Sequence, residues 1–232
     1  MGEDSLFIQP IFELGPVQLT STVITTWIVI AIIGGLAWLA TRRLQMSPGR
    51  LQTMVEAIVS IIEDSIRDIA PQHFRQIMPF IGSLWVFLVI ANLIGLIPGM
   101  HSPTRDLSAT AAIAFLVFLS VHWYGIRIQG LKNYLRHYLS PSPILLPFNL
   151  ISEVTRTIAL AVRLFGNMMS LEMIALLILL VAGFLVPVPI LMLHIVEALV
   201  QAYIFGMLAL IYVAGGLQSQ QLRIQKQGEN HA

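Results

Sequence analysis

The thirty residues from Thr157 to Val186 read TIALAVRLFGNMMSLEMIALLILLVAGFLV. Only Thr157, Arg163, Asn167, Ser170 and Glu172 break a run that is otherwise apolar or glycine, and no proline interrupts it. The apolar region is entered past Pro141, Pro143 and Pro147 and continues to about Val186. At 1.5 Å per residue, roughly 40 helical residues would reach about 60 Å, twice the hydrocarbon thickness of a bilayer. Such a helix must lie strongly tilted, bend, or start outside the membrane.

The whole chain has the same character. Of its 232 residues, 56% are hydrophobic and 11% charged, against roughly 25% charged in an ordinary soluble domain. The mean hydropathy is +0.81, so a soluble fold is excluded and a single membrane domain over 1–232 is expected. With 13 basic and 12 acidic residues, the formal net charge of +1 leaves no electrostatic surplus to hold nucleic acid. The absence of cysteine removes disulfides, thiolate nucleophiles and Cys-ligated metal. No Gly-rich phosphate loop is present, and no cofactor is expected.

Downstream of the quoted stretch, Pro187-Val188-Pro189 closes the element, and a last apolar run from about Ile190 to Leu217 completes a helix pair over 143–217. A polar tail, 218–232, carries Arg223 and Lys226. Upstream, 1–18 holds Glu3, Asp4 and Glu13 but no Lys or Arg, which reads as an outer-side segment without a cleaved signal. A first span, 19–41, ends at Arg42-Arg43. Ser47-Pro48-Gly49 then introduces 50–70, where Leu51, Met54, Val55, Ile58, Ile62, Ile66 and Ile69 recur at helical spacing. Glu56, Glu63, Asp64, Arg67 and Asp68 exclude a crossing there and favour an amphipathic interfacial helix. Spans over 77–97 and 109–126 follow, the second ending in Arg127, Lys132 and Arg136.

Every basic cluster falls on one side, so the positive-inside rule sets the N-terminus outside and the C-terminus in the cytoplasm. The fold class is an all-α membrane protein, with five transmembrane helices plus one amphipathic helix and the last two helices long and tilted. No inverted repeat of the kind found in many secondary transporters is visible.

Arg156, Arg163, Glu172 and Glu197 fall within or close to the last two apolar elements, at a cost of roughly 2.5–3.5 kcal/mol for each charge at a helix centre on translocon scales. They need partners, water or both. At 100° per residue, Arg156 and Arg163 share a face, with Asn167 about 40° and Ser170 about 20° from Arg163. Glu172 projects roughly 180° away, toward a different environment, or else a bend separates the two. On the last helix His194 and Gln201 share a face, and Glu197 lies about 60° from His194 and about 40° from Gln201. Arginine keeps its proton under all ordinary conditions, which suits Arg163 to be a fixed charge, whereas His194 and the glutamates can carry protons. Structural alternatives exist: Arg156 can snorkel to the cytoplasmic boundary, and Glu197 can pair with a neighbouring helix or with Arg156. His73, His101, His122, His137 and His231 show no metal-site spacing.

The runs Ala161-Val162-Arg163-Leu164-Phe165-Gly166-Asn167-Met168 and Gln201-Ala202-Tyr203-Ile204-Phe205 resemble subunit a of the F-type ATP synthase, most closely the bacterial and chloroplast form. Supporting matches are Pro48-Gly49-Arg50-Leu51-Gln52, Pro79-Phe80-Ile81-Gly82, Asp106-Leu107-Ser108-Ala109-Thr110 and Pro143-Ile144-Leu145-Leu146-Pro147. The resemblance covers nearly all of the chain from Pro48 onward. It implies that Arg163 is the stator arginine facing the carboxylate of each c subunit of a rotating ring. It also implies that Asn167, Glu172, His194 and Gln201 lie around two half-channels for H⁺ or Na⁺, with Arg156 at an auxiliary basic position. Leu171 and Thr157 depart from the family's frequent small residue and proline, and Glu197 is an acid that many members lack.

The implied partners are the c ring, b-type peripheral stalk subunits, membrane lipid and the rest of the synthase. The implied location is the bacterial plasma membrane, and the nucleotide chemistry belongs to other chains. Two other classes fit the residues less well. A self-contained proton-coupled transporter would show repeat symmetry or broken helices around a substrate site, and a purely structural membrane subunit would not need an ionisable stripe at mid-depth.

Overall fold

The computed structural model describes residues 10–14, 17–42, 49–97, 100, 102–130, 145–182 and 187–229. Arg43, Pro48, His101, Lys132, Arg136, His137, Pro141, Pro143 and His231, singled out in the sequence, lie outside the described residues. Five helices are long and apolar enough to cross a membrane. The fold is that of an all-α membrane protein, preceded by one small hairpin.

That hairpin pairs β1 (Pro10–Leu14) with β2 (Val17–Thr20) antiparallel, with Phe12 opposite Leu19 and Leu14 opposite Val17. A helix-only reading of the chain misses it. In the sequence, Phe12-Glu13-Leu14 and Val17-Gln18-Leu19 alternate apolar and polar residues about Gly15-Pro16, which is the local signature of a hairpin.

α1 (Ser21–Thr41) spans about 31 Å, one hydrocarbon thickness. Thr25 and Thr26 return their hydroxyls to the helix itself, to Ser21 O at 3.0 Å and to Thr22 O at 2.7 Å, so these two donors are not left to lipid. Most of α1 is exposed; Val29 alone is fully buried, against Ala91 and Ile94. At its end the Arg42 guanidinium lies 4.7 Å from the Trp38 ring centroid, an arrangement suited to the membrane boundary.

α2 (Arg50–Ile69) presents Ile62, Ile66 and Ile69 to the bundle, and Glu63 pairs with Arg67 one turn on. Met54, Val55, Ile58, Val59 and Ile61 stay exposed within this chain. α3 (Phe74–Leu93) lays Ile77, Ile81, Trp85 and Leu88 along one face and continues into a 3₁₀ turn over Ile94–Leu96. A second 3₁₀ turn, Pro103–Arg105, leads into α4 (Leu107–Gln129). Asp106 caps α4 by accepting from the Ser108 N–H at 2.9 Å and the Ser108 hydroxyl at 2.8 Å. The helix stops at Gly130, whose φ of 79° suits a residue without Cβ.

α5 (Leu145–Ala182) and α6 (Pro187–Glu229) have 38 and 43 residues, lengths of about 57 and 64 Å. α6 continues as helix to Glu229, through the segment read as a polar tail.

α3 and α4 both pack on α6, α4 also packs on α5, and α1 and α2 sit at the periphery against α3. Close approach to α6 rests on its small residues: Ala198, Ala202, Gly206, Ala209 and Val213 form a stripe three to four residues apart, all buried. Trp85 of α3 lies over this stripe, its ring stacked on Tyr203 with centroids 5.8 Å apart and its Nε1 donating to Tyr203 O at 3.3 Å. A Cβ on Gly206 would stand 2.1 Å from Trp85 Nε1, and the indole is a rigid plate held by its stacking on Tyr203 and its bond to Tyr203 O. Gly206→Ala should therefore lower stability by about 1–3 kcal/mol. The check is the thermal unfolding midpoint of the subunit in its detergent-purified assembly, and Trp85→Leu in the same chain should restore part of the loss.

Candidate functional site

The polar residues of α5 and α6 divide into an outward face and an inward cluster. Arg156, Arg163 and Ser170 are exposed on α5, and Asn167 is half-buried at the edge of the same stripe. Around them Ile158, Val162 and Met169 are exposed as well. The opposite side of this helix supplies Leu160, Ala161, Leu164, Met168 and Leu171 to the core, so packing fixes which way the stripe points. Arg156 has its guanidinium 5.7 Å from the Tyr212 ring centroid on α6. Arg163 makes no hydrogen bond or ion pair among the described residues, so a permanent charge stands on an apolar flank with no anion paired to it there.

The inward cluster begins with Asn167, whose Nδ2 donates to Gln201 Oε1 at 2.7 Å and joins α5 to α6. Gln201 is 2% exposed and its Nε2 has no partner among the described residues. His194 is 5% exposed, and its Nε2 is likewise unpartnered. Buried donors and acceptors of this kind are normally satisfied, so these two atoms mark where water or an ion would be held. Glu197 follows His194 by one turn of α6, and the Glu172 carboxylate lies near the same ring. Glu197 is half-buried and forms no ion pair with Arg156 or with any other described residue.

Glu172 accepts from Arg105 Nη1 at 2.5 Å, which links α5 to the 3₁₀ turn before α4. The two ends of α5 thus meet different surroundings. Arg163 looks outward, and Glu172, nine residues on, turns toward the α3–α4 connection.

Several polar residues at the site carry no obvious motif. Asn92 of α3 is wholly buried; its Nδ2 donates to Ala198 O on α6 at 3.1 Å and its Oδ1 accepts from Thr104 Oγ1 at 2.8 Å. Ser102 Oγ bonds Thr104 Oγ1 at 2.6 Å and donates to Ala91 O at 2.8 Å. This network ties the α3–α4 connection to α6 one residue from Glu197. Its sequence signal is a lone Asn within an apolar span. Near the other end of the bundle His122 Nε2 of α4 faces Glu153 Oε2 of α5 at 3.6 Å. Among the described residues, no three of His, Asp and Glu converge as a metal site requires.

Residues 23–214 match the family model described as ATP synthase A chain. The chain is 60% identical to ATP synthase subunit a 2 of Pelobacter propionicus, over 93% of this chain and 94% of that protein. It is 63% identical to ATP synthase subunit a 1 of Hahella chejuensis, over 89% and 88%. With ATP synthase subunit a of Legionella pneumophila the identity is 51%, over 97% and 98%. The chain belongs to the ATP synthase subunit a family. As a subunit a family member with five apolar spans, it is an integral membrane protein and a component of the ATP synthase complex.

The Asn167–Gln201 bond is the direct polar link between the two long helices at the site. Asn167→Ala and Gln201→Ala should each slow ion pumping by the assembled complex. Their effects should couple, with the double variant losing about 2- to 12-fold less than the product of the single losses, equivalent to about 0.5–1.5 kcal/mol. Pumping rates per assembled complex, measured for all four forms, close the cycle.

Proposed function

We propose that the chain is the non-catalytic, ion-conducting stator subunit of a rotary F-type ATP synthase. In this reading two half-channels pass H⁺ or Na⁺ to and from carboxylates on a ring of c subunits, and ion flow drives ring rotation. The observation that carries it is Arg163: a charge that cannot be discharged, exposed among apolar side chains and without an ion-pair partner among the described residues. In lipid such a group requires a carboxylate supplied from outside the chain, and a ring that brings one carboxylate after another past it meets that need.

An arriving carboxylate that has released its ion is held by the guanidinium. One that has bound its ion is neutral and can move on through lipid. The same fixed charge repels a cation that would run straight from one half-channel to the other. Asn167 and Gln201 frame the arginine from the inner side, and Glu172, His194 and Glu197 line the half-channel toward the α3–α4 connection. Arg156 and Ser170 extend the ring-facing stripe.

The orientation that fits this reading has the N-terminus outside and the C-terminus in the cytoplasm, in a bacterial plasma membrane. The exposed apolar residues of α1 and α2 then face lipid and b-type stalk subunits. One elementary charge crossing 100 mV supplies about 2.3 kcal/mol, so several ions must pass for each ATP formed.

ATP-driven pumping in inverted vesicles tests the assignment, with the wild type and Arg163→Ala compared at matched assembly and with and without Na⁺. Pumping should fall to background in Arg163→Ala while the c ring and the soluble ATPase remain bound, and the Na⁺ response names the ion. Pumping at the wild-type rate would return Arg163 to a structural role.

A further inference from the structure

Of the 13 Lys and Arg residues in the chain, Arg105 is the one located in a segment that the proposed orientation puts outside. The N-terminal stretch and the connection between α5 and α6 have none. The cytoplasmic excess of basic residues that sets topology therefore does not account for it.

Arg105 is also not a free surface charge. Its Nη1 donates to Glu172 Oε1, and the two side chains are 18% and 22% exposed. The turn that carries it is fixed on both sides. Ser102 accepts from the Thr104 N–H and binds Ala91 O, while Asp106, spent on capping α4, is bonded to Ser108. The charged or titratable groups of α5 and α6 gathered at this place are Glu172, His194 and Glu197.

A carboxylate bonded to a guanidinium has an oxygen already occupied by a charged donor, and the ion pair as a unit presents no net charge to an incoming cation. A proton or Na⁺ binding to Glu172 would have to displace a tethered partner. Glu197 has no such partner among the described residues, and His194 Nε2 has none. We propose that Arg105 is a positioning residue of the outer half-channel. It occupies the Glu172 carboxylate in an ion pair, so that His194 and Glu197, not Glu172, take up and hand on the travelling ion. This rests on the half-channel reading above and adds a division of labour within it.

The experiment measures ATP synthesis by inverted vesicles whose lumen, the former outer side, is loaded to a series of pH values and, separately, of Na⁺ concentrations. Rates are taken per assembled complex. A carboxylate freed from a cationic partner binds a proton or cation about tenfold or more tightly. Arg105→Gln should therefore move the half-saturating luminal ion concentration down by about tenfold or more, and Arg105→Lys should keep it within about threefold of wild type. A purely structural role would change the amount of complex but leave this concentration in place.

Glu172→Gln alone strands the guanidinium and should slow synthesis strongly, and Arg105→Gln added to it should recover at least about tenfold of that loss. An unmoved half-saturating concentration in Arg105→Gln, or a double variant no faster than Glu172→Gln, would overturn the proposal. Arg163→Ala serves as the separate control. Synthesis surviving in that variant would overturn the half-channel reading itself, whatever Arg105 does.

Discussion

A guanidinium that keeps its proton at every physiological pH, carried on a helix otherwise built for lipid, is the constraint on which the rest of this structure depends. Water following it into the hydrocarbon would open a leak, and among the described residues no acid pairs with it. The helix must then be held so that Arg163 points at whatever brings the compensating charge. Leu160, Leu164, Met168 and Leu171 do this by locking the opposite side of α5 into the bundle. The small-residue stripe of α6 brings α3 close enough for Trp85 to lie against it, and this closes the bundle behind the site.

The other polar groups obey the same rule in a different way. Asn92, Thr104, Ser102 and Asp106 satisfy one another or nearby backbone atoms within the chain, which lets a polar connection between α3 and α4 stay buried against two apolar helices. Asn167 and Gln201 do so in part, since Gln201 Nε2, like His194 Nε2, has no partner among the described residues. In the proposed reading the satisfied groups are scaffold and the open ones belong to the ion's path.

Much of this was legible from residues alone, because lipid narrows the choices. Uninterrupted apolar runs in a bilayer become helices, and the alternating charges of 50–70 identify the helix that does not cross. Angular spacing placed Arg163 and Glu172 in different surroundings, and the structure shows one facing outward and the other bonded to Arg105. What sequence did not reveal depends on distance between segments far apart in the chain. Arg105 and Glu172 are separated by 67 positions and Asn92 and Ala198 by 106, and nothing in local periodicity joins them. The hairpin of Pro10–Thr20 went unread for another reason. It is a short polar-apolar alternation beside a much stronger membrane signal.

The 35-residue apolar stretch of α5 from Pro147 to Val181 is about 52 Å long, and holding it within a hydrocarbon layer of about 30 Å inclines it by about 55° from the membrane normal. On a helix so inclined, sequence distance becomes mostly lateral distance. Arg163 and Glu172, about 13 Å apart along the axis, then differ by only about 8 Å in depth but by about 11 Å across the plane of the membrane. In the proposed reading, two wet passages, one from each face, would then reach nearly the same depth side by side without joining. The electric field across the membrane would fall over the narrow strip of protein between them, around Arg163, so a charge moved sideways there would do the work of one moved through the full thickness.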